Sequence, residues 1–431
     1  MITPSARCSS LLVLTSIVSS TALSAGFALN EQSARALGQA FSGRASDADT
    51  AGTVSANPAG MSRLTQAEIS AGFAVIDAHS DIKDATSSFS GAPISGSNDG
   101  DMVPLIAIPF GFYVQPLDEH WAVGFGVYAP FGLTTDYEHD FQGRYFGTKS
   151  EVQNIAMQPT VSYKFDNGIS LGAGITYNLI SGNLDENIPN PLDHSSDVVG
   201  KVDGDDTGWG YNLGILYEFN NNKTRIGLTY YSKVDYTLEG HTKVTNIPSA
   251  LGLGSSQRYK ASLDITTPDK VDFSFTHALT PELTLHGDVT QTRWNKLSEL
   301  RVENENAPTA PVDLSSSTEA LDWDNSWFYS LGLSYQLDQQ WLLRGGVAID
   351  KSPIPTSTRS VRVPTSDRTM FAIGTTWAPV NNLSVDLAYM YFVEKTASVD
   401  RSGEILGATY SYSAEYENYA NILAAQVNWR F

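Results

Sequence analysis

The chain alternates. "ISLGAGITYNLI" sets Ile169, Leu171, Ala173, Ile175, Tyr177 and Leu179 on one face of an extended segment and Ser170, Gly172, Gly174, Thr176 and Asn178 on the other. "WGYNLGILYEF" does the same with Trp209, Tyr211, Leu213, Ile215, Tyr217 and Phe219 against Gly210, Asn212, Gly214 and Glu218. "WLLRGGVAID" and "LSVDLAYMYFVE" continue the pattern. So do the last residues, where Leu423, Ala425, Val427, Trp429 and Phe431 fall on every second position. A period of two belongs to a strand with one apolar face. A soluble sandwich turns that face inward, whereas a membrane barrel turns it to lipid and lines its lumen with the polar face.

Three features favour the barrel. The alternating runs are about ten residues long, the length a tilted strand needs to cross a bilayer. Aromatic residues (Trp121, Tyr217, Trp341, Trp377, Trp429, Phe431) sit at the ends of the apolar faces, as an interfacial girdle requires. Tight turns at 166–168, 220–223, 338–340 and 380–382 alternate with long polar stretches such as 184–206, 239–257, 301–321 and 351–367. Short turns on one side and long loops on the other characterise outer-membrane barrels. The reading is all-β, an antiparallel transmembrane β-barrel of about fourteen strands from residue 64 to Phe431. Its last strand must pair with its first, because an unpaired edge in lipid is too costly.

The first residues agree with export. "MITPSARCSSLLVLTSIVSSTALSAGF" has a basic start at Arg7, an apolar run from Leu11 to Val18, and small residues after it. This is a secretory signal peptide, residues 1–24, cut after Ser24. The apolar run is too short for a membrane anchor, and Cys8, the chain's only cysteine, precedes it. The balance of 27 basic to 47 acidic residues, net −20, provides no basic footprint for nucleic acid. The expected location is the outer membrane of a Gram-negative bacterium.

Residues 25–63 lack the alternation. Fourteen strands enclose more than side chains can fill, since eight make a filled barrel and 16–18 leave an aqueous channel. The segment reads as a hatch inside the lumen, the alternative being a disordered periplasmic tail. Catalysis finds little support. The seven histidines (79, 120, 139, 194, 241, 277, 286) make no HExxH, and no GxSxG occurs. A lipid-modifying barrel enzyme would need Ser and His together, and His277 and His286, near Ser274 and Thr290, read instead as polar lumen residues. No catalytic residue, metal or cofactor is assigned.

"SAGFALNEQSARALGQAFSG" followed by "DTAGTVSANPAGMSRL" resembles the amino-terminal hatch of the FadL family, outer-membrane transporters of long-chain fatty acids. "VYAPFGLTTDY", "LRGGVAIDKSPIP" and "VPTSDRTMFAIGTTW" continue the likeness in the family's order. The resemblance implies a hatch-plugged barrel of 14 strands that passes hydrophobic molecules without energy input. Aromatic-hydrocarbon channels belong to the same family. The expected partners are hydrophobic small molecules, outer-membrane lipid and lipopolysaccharide, with the protein a monomer.

Particular residues are expected to serve these tasks. Ala25, Gly26, Phe27 and Leu29 of the hatch should meet substrate in an otherwise polar tube. Asn57, Pro58 and Ala59 should anchor the hatch to the wall, Asn by bonding backbone and Pro by fixing φ. Pro109, Pro130 and Pro159 fall on three consecutive strands, with Gly126 and Gly132 loosening the third. Proline cannot donate to a ladder and so keeps to edges and bulges. These residues with Phe131 mark either ordinary strand ends or, as the resemblance implies, a kink in the third strand that opens sideways to the membrane. Ile188, Leu251 and Leu253, beside Pro189 and Pro191, are apolar residues in external loops, where the resemblance implies a capture groove. Arg344 and Arg368, with Asp350, match positions in the family's carboxy-terminal motifs and are expected to meet substrate. Arg225, Lys233, Lys270 and Asp272 face inward by parity. Near Asn178 to Ser181 and near Asp324, where family-like bases are expected, the residues are uncharged or acidic, which leaves an uncharged hydrocarbon open as cargo.

Overall fold

The computed structural model describes residues 26–190, 196–310 and 312–431. The expected signal peptide, Ala25, Pro191 and His194 lie outside them. Fourteen antiparallel strands close on themselves. In chain order they are β1 (Glu68–Phe89), β2 (Ile106–Pro116), β3 (Trp121–Asp136), β4 (Lys149–Lys164), β5 (Ile169–Ile188) and β6 (Val198–Phe219). Four bent strands come next, each in two parts: β7 (Thr224–Tyr231, Val234–Thr245), β8 (Ser256–Thr267, Lys270–Ala278), β9 (Leu283–Thr292, Glu299–Asn304) and β10 (Ser316–Ala320, Ser326–Gln336). The circle ends with β11 (Trp341–Asp350), β12 (Arg368–Val380), β13 (Leu383–Glu394) and β14 (Ala408–Arg430). Closure runs along the whole of β1 and β14, from Glu68 opposite Arg430 to Phe89 opposite Tyr410, and the Phe431 amide donates to the Ala67 carbonyl at 3.0 Å.

The outward apolar face is exposed as lipid contact demands: Trp209, Tyr211, Leu213, Ile215 and Tyr217 on β6 all face out, while Asn212, Leu216 and Glu218 between them are buried. Parity fails once. Lys233, expected in the lumen, is exposed beside Asp235, because β7 breaks at Ser232–Lys233 and one extra residue moves every later side chain to the other face. The lumen is also not polar throughout. In its outer half Val202, Leu238, Leu263 and Ile265 point inward and pack with Ile180 and Trp323, so the outer lumen is apolar.

Gly26–Arg63 lies inside the barrel. It forms two short helices, α1 (Ala34–Leu37) and α2 (Thr53–Ala56), and a 3-10 turn, Pro58–Arg63. Ser33 caps α1, its hydroxyl accepting from the Ala36 amide at 3.2 Å. The wall meets this segment with glycine. A Cβ on Gly172 would collide with the Pro58–Ala59 peptide, on Gly214 with the Asn57 side chain, on Gly227 with the Ala45 carbonyl and on Gly346 with the Gln39 carbonyl. The glycines of the inward face are therefore the contact surface for the segment's backbone.

Candidate functional site

Two cavities flank the segment. The outer one, about 920 Å³, is walled by Leu133, Val152, Ile180, Leu238, Leu263 and Trp323, with Phe27 at its floor. The loop between β11 and β12 folds back over the mouth to close it. There Arg362 pairs with Glu186 at 2.8 Å and Glu319 at 3.1 Å and donates to the Asp185 carbonyl at 3.3 Å. Read as an external polar stretch, that loop is in fact buried from Arg359 to Arg362, because Arg362 finds carboxylates on β5 and β10 and Arg359 donates to the Ser398 and Ile354 carbonyls. The inner cavity, about 990 Å³, lies between the segment and the wall and is bounded by Ala28, Leu29, Phe41, Tyr128, Pro130, Phe131, Val234 and Pro268, with Arg44 and Lys270 among its few charges.

An aromatic cluster stands where the cavities meet. The Phe27 ring lies 4.9 Å from Trp294, 5.8 Å from Phe131 and 5.8 Å from Trp323. Gly26 makes this possible. Its φ of +79° suits glycine, and a Cβ there would sit 2.7 Å from the Trp294 ring. Leu29 lines the inner cavity.

The third strand is bonded on its inner side. The β2–β3 ladder ends at Gly111 opposite Val127, and above it Ile106–Phe110 pair with β1 alone, Pro109 opposite Phe73. The β3–β4 register shifts between Tyr128 and Phe131, around Pro130. The outer part of β3 takes the amino-terminal segment as its partner. Leu29 donates to the Pro130 carbonyl and Gly132 to the Phe27 carbonyl, both at 2.9 Å, with Ala28 opposite Phe131. Pro159, opposite Phe125, falls in a two-residue gap of the β4–β5 ladder, and Gly126 backs onto Phe112 and Val54.

The other expected residues are spread over the amino-terminal segment, the rim and the wall. Asn57 is buried and donates to the Ala45 carbonyl at 2.6 Å and to the Ile215 carbonyl of β6 at 3.0 Å, and its oxygen accepts from the Ala59 amide at 3.1 Å. Pro58 starts the 3-10 turn. Ile188, Leu251 and Leu253 pack on Val198, Val244 and Ile247 at the rim of a cleft of about 490 Å³. Arg344 pairs with Asp386 at 3.2 Å and Arg368 with Glu394 at 2.6 Å, both fully enclosed, and neither lines the two cavities. Each has a carboxylate partner on the next strand but one or nearer. His286 has Ser334 at 2.9 Å and Thr276 at 3.2 Å, but it is buried under Gly43 and lines neither cavity. Among the described residues no cluster of His, Cys, Asp and Glu suits a metal. Arg44 was missed. It belongs to the segment without periodicity, and only a motif or a structure can orient it.

A closed barrel with an apolar girdle, an internal segment and apolar lumen cavities defines an outer-membrane channel for hydrophobic molecules. The chain belongs to the family of outer membrane protein transport proteins (OMPP1/FadL/TodX), whose model matches residues 15–431. Its members are transporters and channels rather than enzymes, and this chain is an outer-membrane transporter of hydrophobic compounds. It is 28% identical to the Haemophilus influenzae outer membrane protein P1, over 94% of this chain and 95% of that one. It is also 28% identical to an Escherichia coli long-chain fatty acid transport protein, over 98% of both. The fold matches the crystal structure of a Pseudomonas aeruginosa FadL homologue with a TM-score of 0.85 at 20% identity, covering 94% of this chain and all of the other (100%). It matches the Ralstonia pickettii toluene transporter TbuX with 0.65 at 17% identity, covering 94% and 99%.

Proposed function

We propose that the barrel takes up long-chain fatty acids or related hydrophobic compounds passively and releases them sideways at the third strand. Cargo enters by the apolar loop cleft at Ile188, Leu251 and Leu253 and fills the cavity above Phe27. It then passes the aromatic cluster into the inner cavity and leaves beside Pro130. Gly26–Arg63 serves as the plug, held by Asn57–Ala59. The barrel acts as a monomer surrounded by lipid and lipopolysaccharide.

The observation that carries this reading is the outer part of β3, which borders the inner cavity and is unpaired with β2 above Gly111. Energetics support a lateral route. An acyl chain loses roughly 0.8 kcal/mol per CH₂ on entering water, so a 16-carbon tail released into the periplasm would lose on the order of 10 kcal/mol. The plug's strand-like contact at Ala28 and Phe131 must part for cargo to leave by this route. Cysteines at Ala28 and Phe131, in a chain whose only other cysteine is Cys8, should stop uptake when oxidised and restore it when reduced. Normal uptake by the oxidised protein would exclude this route.

Most of the residues lining the outer cavity are uncharged, and this favours a second reading, a channel for aromatic or alkane hydrocarbons. Growth of a deletion strain on oleate, against growth on toluene or alkanes, separates the two.

A further inference from the structure

We propose that Arg362 is a bolt across the mouth of the lumen, and that cargo is admitted when its guanidinium swings from Glu319 onto Glu186 while the loop that carries it stays in place. The inference rests on the uptake reading above and assigns the residues that govern its entry step.

Three spaces follow one another from the surface inward. The loop cleft opens at Ile188, Val244, Leu314 and Leu406 into a vestibule of about 1940 Å³. The vestibule meets the outer cavity at Leu184, Val202, Leu300, Glu319 and Arg362. The first four of these stand on the wall, on β5, β6, β9 and β10. Arg362 alone comes from the loop between β11 and β12, so its side chain is the part of the partition that crosses the opening. That side chain is only 8% exposed. Its Nε donates to Glu319 at 3.1 Å and its Nη2 to Glu186 at 2.8 Å. Its Nη1 donates to the Ser150 hydroxyl at 3.1 Å and to the carbonyls of Lys149 at 3.2 Å and Asp185 at 3.3 Å. Gly147, with φ of +146°, leaves room for the arginine stem, since a Cβ there would lie 3.0 Å from the Arg362 Cγ.

Two observations favour a swinging side chain over a moving loop. The loop backbone is tied on both sides of Arg362. The Tyr137 hydroxyl donates to the Val361 carbonyl at 2.7 Å, the Thr135 hydroxyl to the Arg362 carbonyl at 3.3 Å and the Asn418 side-chain amide to the Pro364 carbonyl at 2.8 Å. The two ends of the loop are clipped together, where Asp367 accepts from the Ser352 amide at 3.1 Å and pairs with Lys351 at 2.8 Å. A lid motion would break these ties at once. The two carboxylates are also unequal. Glu319 lines both spaces, whereas Glu186 lines the vestibule alone. The Glu319 Oε1 is buried without a hydrogen-bond partner, so this side of the bolt is the less complete one. Moving the guanidinium fully onto Glu186 clears the partition, keeps the arginine paired and opens Glu319 to vestibule water. Neither charge is then left buried alone, which is the costly way to break such a pair.

The test reads the opening without cargo. Leu263 lines the outer cavity and not the vestibule, and the chain's only native cysteine is Cys8. Leu263→Cys in the full barrel therefore reports passage of the partition by its rate of reaction with a water-soluble maleimide added outside intact cells. Arg362→Gln and Glu319→Gln should each raise that rate about tenfold, the loss of one charge-assisted hydrogen bond. Glu186→Gln should lower it, because Glu186 holds the arginine in the open position. The opposed effects of two neighbouring carboxylates are what a mere brace would not produce. If both glutamate variants speed labelling alike, the pairs only stiffen the loop and the bolt is wrong, and it is equally wrong if no variant changes the rate. Should Arg362→Gln lose the heat-resistant folded form, the glutamate pair decides the matter. Palmitate uptake by the same cells should follow the labelling rates. Labelling that moves as expected in cells that take up neither palmitate nor toluene would leave the bolt standing and overturn the uptake reading.

Discussion

At the residue scale, glycine decides where the plug can sit. Gly214 faces inward on β6, and a side chain there would strike Asn57. Valine suits a strand better than glycine does, so Gly214→Val should leave the barrel folded and dislodge the Asn57–Ala59 turn. The expected outcome is higher conductance in planar bilayers with unchanged heat-resistant migration of the barrel on gels. The plug is also tied down by charge. Arg63 pairs with Glu218 of β6 and Arg225 of β7 with Asp47 at 3.5 Å, while Arg35 and Asp49, 3.0 Å apart, pair within the plug. Burial pushes the Asp49 carboxyl up, but Arg225, Arg35 and Arg63 outweigh it and hold the group well below the usual carboxylate range. A carboxyl lowered by folding stabilises fully above its unfolded pKa, about 3.9, and loses that contribution as pH falls through the folded value. The Asp49 contribution to plug seating should therefore be flat from neutral pH to about 4 and fall away only below that, read as conductance against pH in wild type compared with Asp49→Asn.

At the element scale, the period-two pattern locates the strands because lipid and lumen demand opposite side chains at successive positions. It fails where the backbone bends. β7 to β10 each come in two parts, and the extra residue at Ser232–Lys233 inverts the parity of the second half of β7. No composition signal marks that insertion. The proline at 268 marks the corresponding break in β8, and proline is the one cue legible in the chain. The plug left only capping and turn residues to read, since its four-residue helices α1 and α2 are too short to show a period. Deleting residues 27–40 should remove α1 and the strand-like partner of β3 together. Conductance should rise, and unchanged conductance would mean that another element closes the lumen.

At the scale of the whole molecule, the barrel stands or falls on one seam. β1 and β14 pair from Glu68–Arg430 to Phe89–Tyr410, and Arg430 also reaches Glu68 at 2.7 Å. In lipid each unsatisfied backbone group costs several kcal/mol, so an open seam is not a tolerable state. Truncating Val427–Phe431 should leave Glu68–Ala71 paired with β2 but without their partners on β14, and abolish the heat-resistant folded form. The truncated chain should accumulate before insertion, as protease sensitivity of membrane fractions would show.

The alternation by itself determined the class of fold, the number of strands and which faces meet lipid. Each of these stems from the bilayer acting as a solvent on one residue at a time. Asn57 was legible for a similar reason: a side-chain amide beside proline has few tasks but to bond backbone. Which inward cations are paired was decided only in the tertiary structure. Arg344 and Arg368 read as inward bases, and the sequence could not show that Asp386 and Glu394 neutralise them. Lys270 read as one inward base among several, and Arg44 had no readable orientation at all. Both line one cavity because the amino-terminal segment folds back across the lumen, a placement set by the packing of its backbone on wall glycines and not by any local pattern.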